Sequence, residues 1–176
     1  KGMPVRSLDF SDAEKEFLKG YFFLTVKPVL YVANLGDKTT TKLDELKKKA
    51  KDEKSELVEI YSKLETELCA LSEEESKEFC KEYGIEEPGL KKMIRAAYGM
   101  LGLITFFTVK EPEVRAWSIK SGLKAPEAAG KIHSDMERGF IRAEVINQND
   151  LQGCGSLAEA RKRGLLRTEG KNYIIQ

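Results

Sequence analysis

Cysteine and histidine are scarce in this sequence: Cys69, Cys80 and Cys154 are its three cysteines and His133 is its one histidine, among 176 residues. An odd cysteine count without zinc-type spacing argues against a disulfide framework and a structural metal site, and predicts free thiols. A lone histidine has no second histidine for a metal pair or a proton shuttle, and no serine or cysteine beside it in a strained turn, which argues against histidine-centred catalysis. Charge of one sign is lacking as well. Thirty basic against 29 acidic residues give a formal charge of +1, so no overall field draws the molecule to nucleic acid or anionic lipid, and such a contact has to come from a local patch. Long hydrophobic runs are missing: the most apolar stretch, Gly20 to Gly36, is interrupted by Lys27 and Pro28 and falls short of the roughly 20 apolar residues of a membrane span. No basic region, apolar run and small-residue cleavage site combine near Lys1, so a cytoplasmic location is expected. Nothing matches G-x-x-x-x-G-K-S/T, the loop that cradles phosphates. What is there, 41% hydrophobic and 34% charged residues, is the profile of a soluble globular protein of one or two domains.

Ser11 and Glu14 stand at capping-box spacing, and Phe17, Leu18, Tyr21, Phe22 and Leu24 make a stripe of helical period, which predicts a helix over Ser11 to Thr25. After Pro28, Val29 to Ala33 is almost wholly apolar and ends at Asn34, as a strand buried on both faces of a parallel sheet would be. Leu35, Gly36 and Asp37 make a turn. Beyond Thr41, the lysine-rich segment Lys42 to Lys54 puts Leu43, Leu46 and Ala50 on one helical face. Leu57 to Tyr61 reads as a second strand, completing a βαβ unit whose sheet lacks partners at its edges and on one face. A second capping box, Ser72 with Glu75, opens a helix through Tyr83, and another follows Pro88 over Gly89 to Leu101.

Past Gly102 the pattern changes. Ile104, Phe106 and Val109 predict a strand, Pro112 a turn, and Val114 to Ile119 a second strand, forming a hairpin. Ala125 and Pro126 open a helix expected to run through His133 and Met136 to Gly139, placing His133 on a face with Ala129 and Met136. A strand over Phe140 to Ile146, a helix over Ser156 to Arg163 and a strand over Tyr173 to Ile175 complete a small mixed β-grasp arrangement. Acidic residues slightly outnumber basic ones up to Leu103, and the balance reverses beyond it.

Asn34 and Asp37 follow directly on the first strand, at the carboxyl end of the sheet where open α/β folds bind ligands. An aspartate carboxylate accepts two hydrogen bonds from the N1 and N2 groups of guanine, and an asparagine amide offers both donor and acceptor. Asn-x-Gly-Asp is equally the composition of a plain turn. In the second half, Lys110, Arg115, Lys120, Lys124, Arg138 and Arg142 could form a phosphate-facing patch for RNA, the alternative being the solvated face of a half-buried sheet. Phe106, Phe107 and Trp117 are read as core in preference to base-stacking rings. Glu73 to Glu75 complement the dipole of their helix, which suffices to explain them. No catalytic or metal-binding residue emerges.

The stretch GLITFFTVKEPEVRAWSIKSGLKAPEAAGKIHSDMERGFIRAEVI, Gly102 to Ile146, closely resembles the C-terminal region of the YchF (Obg-like) ATPases, P-loop proteins of the translation-factor class. KPVLYVANL (Lys27 to Leu35), SKLETEL (Ser62 to Leu68) and EEPGLKKMIRAAYGML (Glu86 to Leu101) resemble the same family in the same order. The fold class this implies is α/β plus α+β. Residues 1–101 would be the C-terminal part of a P-loop-type nucleotide domain, a βαβ remnant with flanking helices, and residues 102–176 a β-grasp, ubiquitin-like TGS domain. Asn34, Leu35 and Asp37 would then contact the nucleotide base, and Lys63, in the loop after the second strand, would help to cover it. Asp37 stands where the family usually has glutamate, and Tyr61-Ser62-Lys63 where it commonly has Ser/Cys-Ala-Lys, so the choice between ATP and GTP stays open.

By this resemblance the chain is the C-terminal portion of a translation-associated ATP- or GTP-hydrolysing protein. Magnesium and nucleotide are expected in the full-length parent and no cofactor in this chain, which alone should be inactive. The start at Lys1 and the stop at Gln176 in mid-strand agree with that expectation. Ribosome or RNA is the expected macromolecular partner, and no membrane. The alternative is a non-enzymatic module binding RNA, a ribosomal protein or a regulatory nucleotide.

Overall fold

The computed structural model describes residues 2–36, 42–110 and 112–176, and the chain divides into two compact units, Lys1–Leu101 and Gly102–Gln176. Asp37 and Thr41 lie outside the described residues.

In the first unit the Ser11 and Glu14 capping box is formed, and helix α1 spans Asp12–Lys19. It is shorter than the apolar spacing predicts. The helix stops at Gly20, Phe22 adopts a φ of 53°, and a 3-10 turn follows at Leu24–Val26. The aromatic spacing serves ring contacts across the helix end instead, with Phe17 to Tyr21 at 5.2 Å and Tyr21 to Phe23 at 5.6 Å between centroids.

Strand β1 (Leu30–Asn34), helix α2 (Lys42–Asp52) and strand β2 (Glu56–Ile60) form the βαβ unit, with β1 parallel to β2 in register from Leu30 opposite Glu56 to Asn34 opposite Ile60. The pleat sorts the side chains into two faces. Tyr31 and Glu59 meet α2, whose Lys47 pairs with Glu59 at 2.8 Å and whose Lys49 lies 5.8 Å from the Tyr31 ring. Val58 and Ile60 meet the helix α5 (Gly89–Met100). The expectation that β1 is buried on both faces is corrected: only Ala33 in it is buried, and Val32 remains 41% exposed, because the sheet has two strands among the described residues and β1 keeps an open edge.

Helix α3 (Ser62–Leu68) follows β2 at once; seven residues are too few for a periodic signal. Helix α4 (Glu73–Glu82) carries its Ser72 and Glu75 capping box and gives way to Gly84 at a φ of 66°. Ala33, Leu43, Ala50, Val58, Leu68, Cys80 and Ala96 make the core of this unit.

In the second unit β3 (Leu103–Lys110) and β4 (Glu113–Lys120) form the antiparallel hairpin, with Phe106 opposite Trp117 and Ile104 opposite Ile119. The expected single helix to Gly139 is two, α6 (Ala125–Ile132) and α7 (Ser134–Arg138), broken at His133. His133 takes an extended φ of −162°, and its Nδ1 accepts from the Asp135 amide at 3.2 Å. It therefore caps α7 and does not share a helical face with Ala129 and Met136. Strand β5 is confined to Ala143–Val145, and helix α8 (Gln148–Cys154), unforeseen from the sequence, follows it. Helix α9 spans Leu157–Lys162 and strand β6 Arg167–Glu169, the latter antiparallel to β5. Tyr173 to Ile175 contributes one isolated bridge, Ile174 to Lys124, rather than a strand. Ile119, Ala125, Ala128, Ala129 and Ala160 form the core; Ile119 is 1% exposed.

Candidate functional site

The carboxyl ends of β1 and β2 lie side by side because the two strands are parallel and in register, so the chain leaves both at the same edge. The Leu35 amide still donates to the Ile60 carbonyl at 2.8 Å, so pairing continues one residue past β1. Asn34 closes the gap to the next element. Its Oδ1 accepts from the Ser62 amide at 3.2 Å and from the Ser62 hydroxyl at 2.8 Å. Among the described residues no atom lies within 4 Å of where a Gly36 side chain would begin. Lys63 comes next to Ser62, but in the first turn of α3 and not in a loop, because the helix starts directly at Ser62. The structure thus brings together Asn34, Leu35 and the Ser62-Lys63 pair; Asp37 falls outside the described residues.

A contact that no sequence pattern announced supports this edge from behind. The Glu65 carboxylate reaches across 24 positions and accepts from the Gly89 amide at 2.5 Å and from the Leu90 amide at 3.2 Å. Helix α5 begins after Pro88, which has no side-chain cap of its own, and the first amides of a helix lack internal partners. A carboxylate at the positive end of the helix dipole satisfies them. Glu65 and Gly89 also line an open cleft of about 480 Å³ with Tyr61, Leu64, Glu86 and Lys92. Carboxylates outnumber ammonium groups there, which makes it a poor seat for phosphate.

The basic residues of the second unit are spread over several elements. Strand alternation places Lys110 and Arg115 on the hairpin face that carries Ile119, and Lys120 on the opposite face. Arg115 donates to Glu113 at 2.6 Å. Lys124 immediately precedes α6, Arg138 closes α7, and Arg142 is exposed just before β5. Of the three aromatic residues read as core, Phe106 and Trp117 are partly buried, with the Trp117 indole donating to the Thr108 hydroxyl at 3.0 Å. Phe107 is not core: neighbouring strand positions face opposite ways, and it is 46% exposed.

Among the described residues no three or more His, Cys, Asp or Glu side chains are grouped to hold a metal ion, and no helix is long and apolar enough to cross a membrane.

Residues 103–176 match the family YchF-GTPase_C, described as a protein of unknown function (DUF933). The chain is 44% identical over 182 positions to the ribosome-binding ATPase YchF of Bacillus subtilis (strain 168), covering 98% of this chain and 49% of that protein. It is 43% identical over 175 positions to the ribosome-binding ATPase YchF of Escherichia coli O157:H7, covering 98% and 48%. Among solved structures, the Schizosaccharomyces pombe YchF GTPase aligns with a TM-score of 0.83 at 34% identity, covering 99% of this chain and 48% of that one. The chain spans about half the length of these relatives. With a mixed α/β fold shared along nearly its whole length and this level of identity, the chain belongs to the YchF family and matches its C-terminal portion.

Proposed function

We propose that the first unit is the base-recognition end of a P-loop-type nucleotide-binding domain, and that the second is a TGS domain of β-grasp type. The parent protein would bind and hydrolyse ATP or GTP and engage the ribosome in the cytoplasm. The observation that carries this reading is the pairing of Asn34 with Ser62 at the carboxyl edge of the parallel sheet. With its Oδ1 committed to Ser62, the Asn34 side chain keeps its amide N–H groups as donors towards a purine ring. Asp37, three positions on, supplies an acceptor for the N1–H and N2–H groups of guanine or for the exocyclic amine of adenine, while Leu35 and Lys63 flank the same edge. Relatives carry the names ATPase and GTPase alike, and this arrangement of donor and acceptor serves either purine.

Nucleotide with magnesium supplies the phosphoanhydride that water cleaves. Stabilisation of the charge on the transferred phosphoryl group needs a phosphate-cradling loop, and none occurs in these 176 residues. The 176-residue chain alone is therefore expected to turn over neither ATP nor GTP, and measurable turnover would overturn that part of the reading. In the full-length protein, Asp37→Ala should weaken nucleotide binding and leave ribosome association intact. Lys120→Glu with Arg142→Glu should do the reverse, if the basic residues of the second unit meet RNA phosphates. Each phosphate contact should then cost roughly one logarithmic unit of affinity per logarithmic unit of salt, and a flat salt response would remove RNA as the partner.

A further inference from the structure

We infer that Glu65 is a positioning residue for the purine-base site: it acts through α3, setting nucleotide affinity and the discrimination between bases without touching the nucleotide. The inference rests on the base-site reading above.

Helix α3 carries Ser62 and Lys63 but is seven residues long, and Tyr61 before it supplies no side-chain cap. Among the described residues its side-chain hydrogen bonds to β1 are those of the Asn34 to Ser62 pair; Leu68 anchors the far end of the helix in the core, so the Ser62 end is held by one polar attachment. Glu65 supplies the second. Its two carboxylate oxygens take the successive amides of Gly89 and Leu90, and charge-assisted bonds to two adjacent donors fix direction as well as distance. The platform is firm: α5 is twelve residues long, buries Ala96 and packs on β2.

Gly89 shows how close this approach is. A Cβ built there would lie 2.8 Å from Glu65 Oε1 and 2.8 Å from Ile60 Cγ2, so the position admits a helix start only without a side chain. Ile60 is the residue of β2 paired with Asn34. The contacts therefore close into a ring, from Asn34 to Ser62, along α3 to Glu65, across to Gly89, and through Ile60 back to Asn34. A ring of this kind holds the base-side residues in one arrangement, and displacement of a binding residue by about 1 Å is enough to cost affinity.

The test uses the full-length protein and three probes: ATP, GTP and inorganic tripolyphosphate, which has no base. Glu65→Ala is expected to weaken binding of the preferred purine nucleotide about tenfold, to narrow the ratio between ATP and GTP affinities, and to leave tripolyphosphate affinity unchanged. Glu65→Gln retains an oxygen acceptor for one amide and should fall between wild type and Glu65→Ala; it also serves if the alanine variant does not fold. Equal losses for all three probes would mark a merely structural role and overturn the inference. If Asn34→Ala weakens nucleotide binding while both Glu65 variants bind as wild type, the positioning role falls and the base site stands. If Asn34→Ala binds ATP and GTP as wild type, the base site falls and the inference with it.

Discussion

The Tyr31 hydroxyl donates to Glu53 Oε2 at 2.8 Å, and Arg6 reaches the same oxygen at 2.7 Å. These contacts tie the middle of β1, the end of α2 and the 3-10 turn Val5–Ser7 into one corner of the first unit. The Tyr31 hydroxyl first, and then the Arg6 guanidinium, hold the Glu53 carboxyl below its ordinary pKa. A carboxyl depressed in the folded state contributes stability above its unfolded pKa of about 4.3 and loses it as pH falls through the lower folded value. The melting temperature of the wild type is therefore expected to drop on acidification below about pH 4.3. Glu53→Gln should melt lower at neutral pH and show a flatter dependence through the acid window. Melts at pH 7 and at successive steps below pH 5 check this, and parallel curves for the two proteins would refute it.

At Gly89 an added methyl group meets Glu65 and Ile60 at distances that real side chains do not adopt. Gly89→Ala should cost about 1–3 kcal/mol in urea unfolding, the usual range for overpacking. Gly20→Ala makes the control. Among the described residues its Cβ would meet only the Phe17 carbonyl, at 3.6 Å, and its φ is −67°, so it should be neutral or stabilise by up to about 1 kcal/mol.

The two faces of the hairpin predict opposite tolerances. Ile119→Ala removes the most deeply buried large side chain of the second unit and should destabilise by about 2–5 kcal/mol. Phe107→Ala alters a half-exposed ring on the other face and should cost about 1 kcal/mol or less. Chemical unfolding followed by fluorescence measures both.

His133 acts as a cap. His133→Ala should lower the stability of the second unit by about 1 kcal/mol, and His133→Asn, which keeps a side-chain acceptor for the Asp135 amide, should recover most of it. Loss of stability in the asparagine variant equal to that in alanine would show that the cap contributes nothing.

The parts of the fold that were legible in the sequence are those with a local cause. Ser11 with Glu14 and Ser72 with Glu75 announce two helix starts, and both boxes are formed. The β1-α2-β2 order follows from apolar runs and connection lengths, and the hairpin from Val114 to Ile119 answering Ile104 to Val109. The misreadings arise where one residue type serves two ends. Phe17, Tyr21 and Phe23 keep helical spacing while making ring contacts past the helix stop, and His133 looks like a helix-face residue although its ring accepts a backbone bond. At the site, Asn34 stands out as the polar residue that ends an apolar run, and Lys63 through family resemblance. Glu65 does not stand out, since a carboxylate bonding to backbone amides 24 residues away leaves no pattern in either segment.

Trp117 is the sole tryptophan of the chain and sits in the hairpin, its indole bonded to Thr108. Emission from that ring consequently originates in residues 102–176, whereas far-ultraviolet dichroism records the helices of both halves. Following the same titration by the two signals separates the melting of the first unit from that of the second, with no label attached.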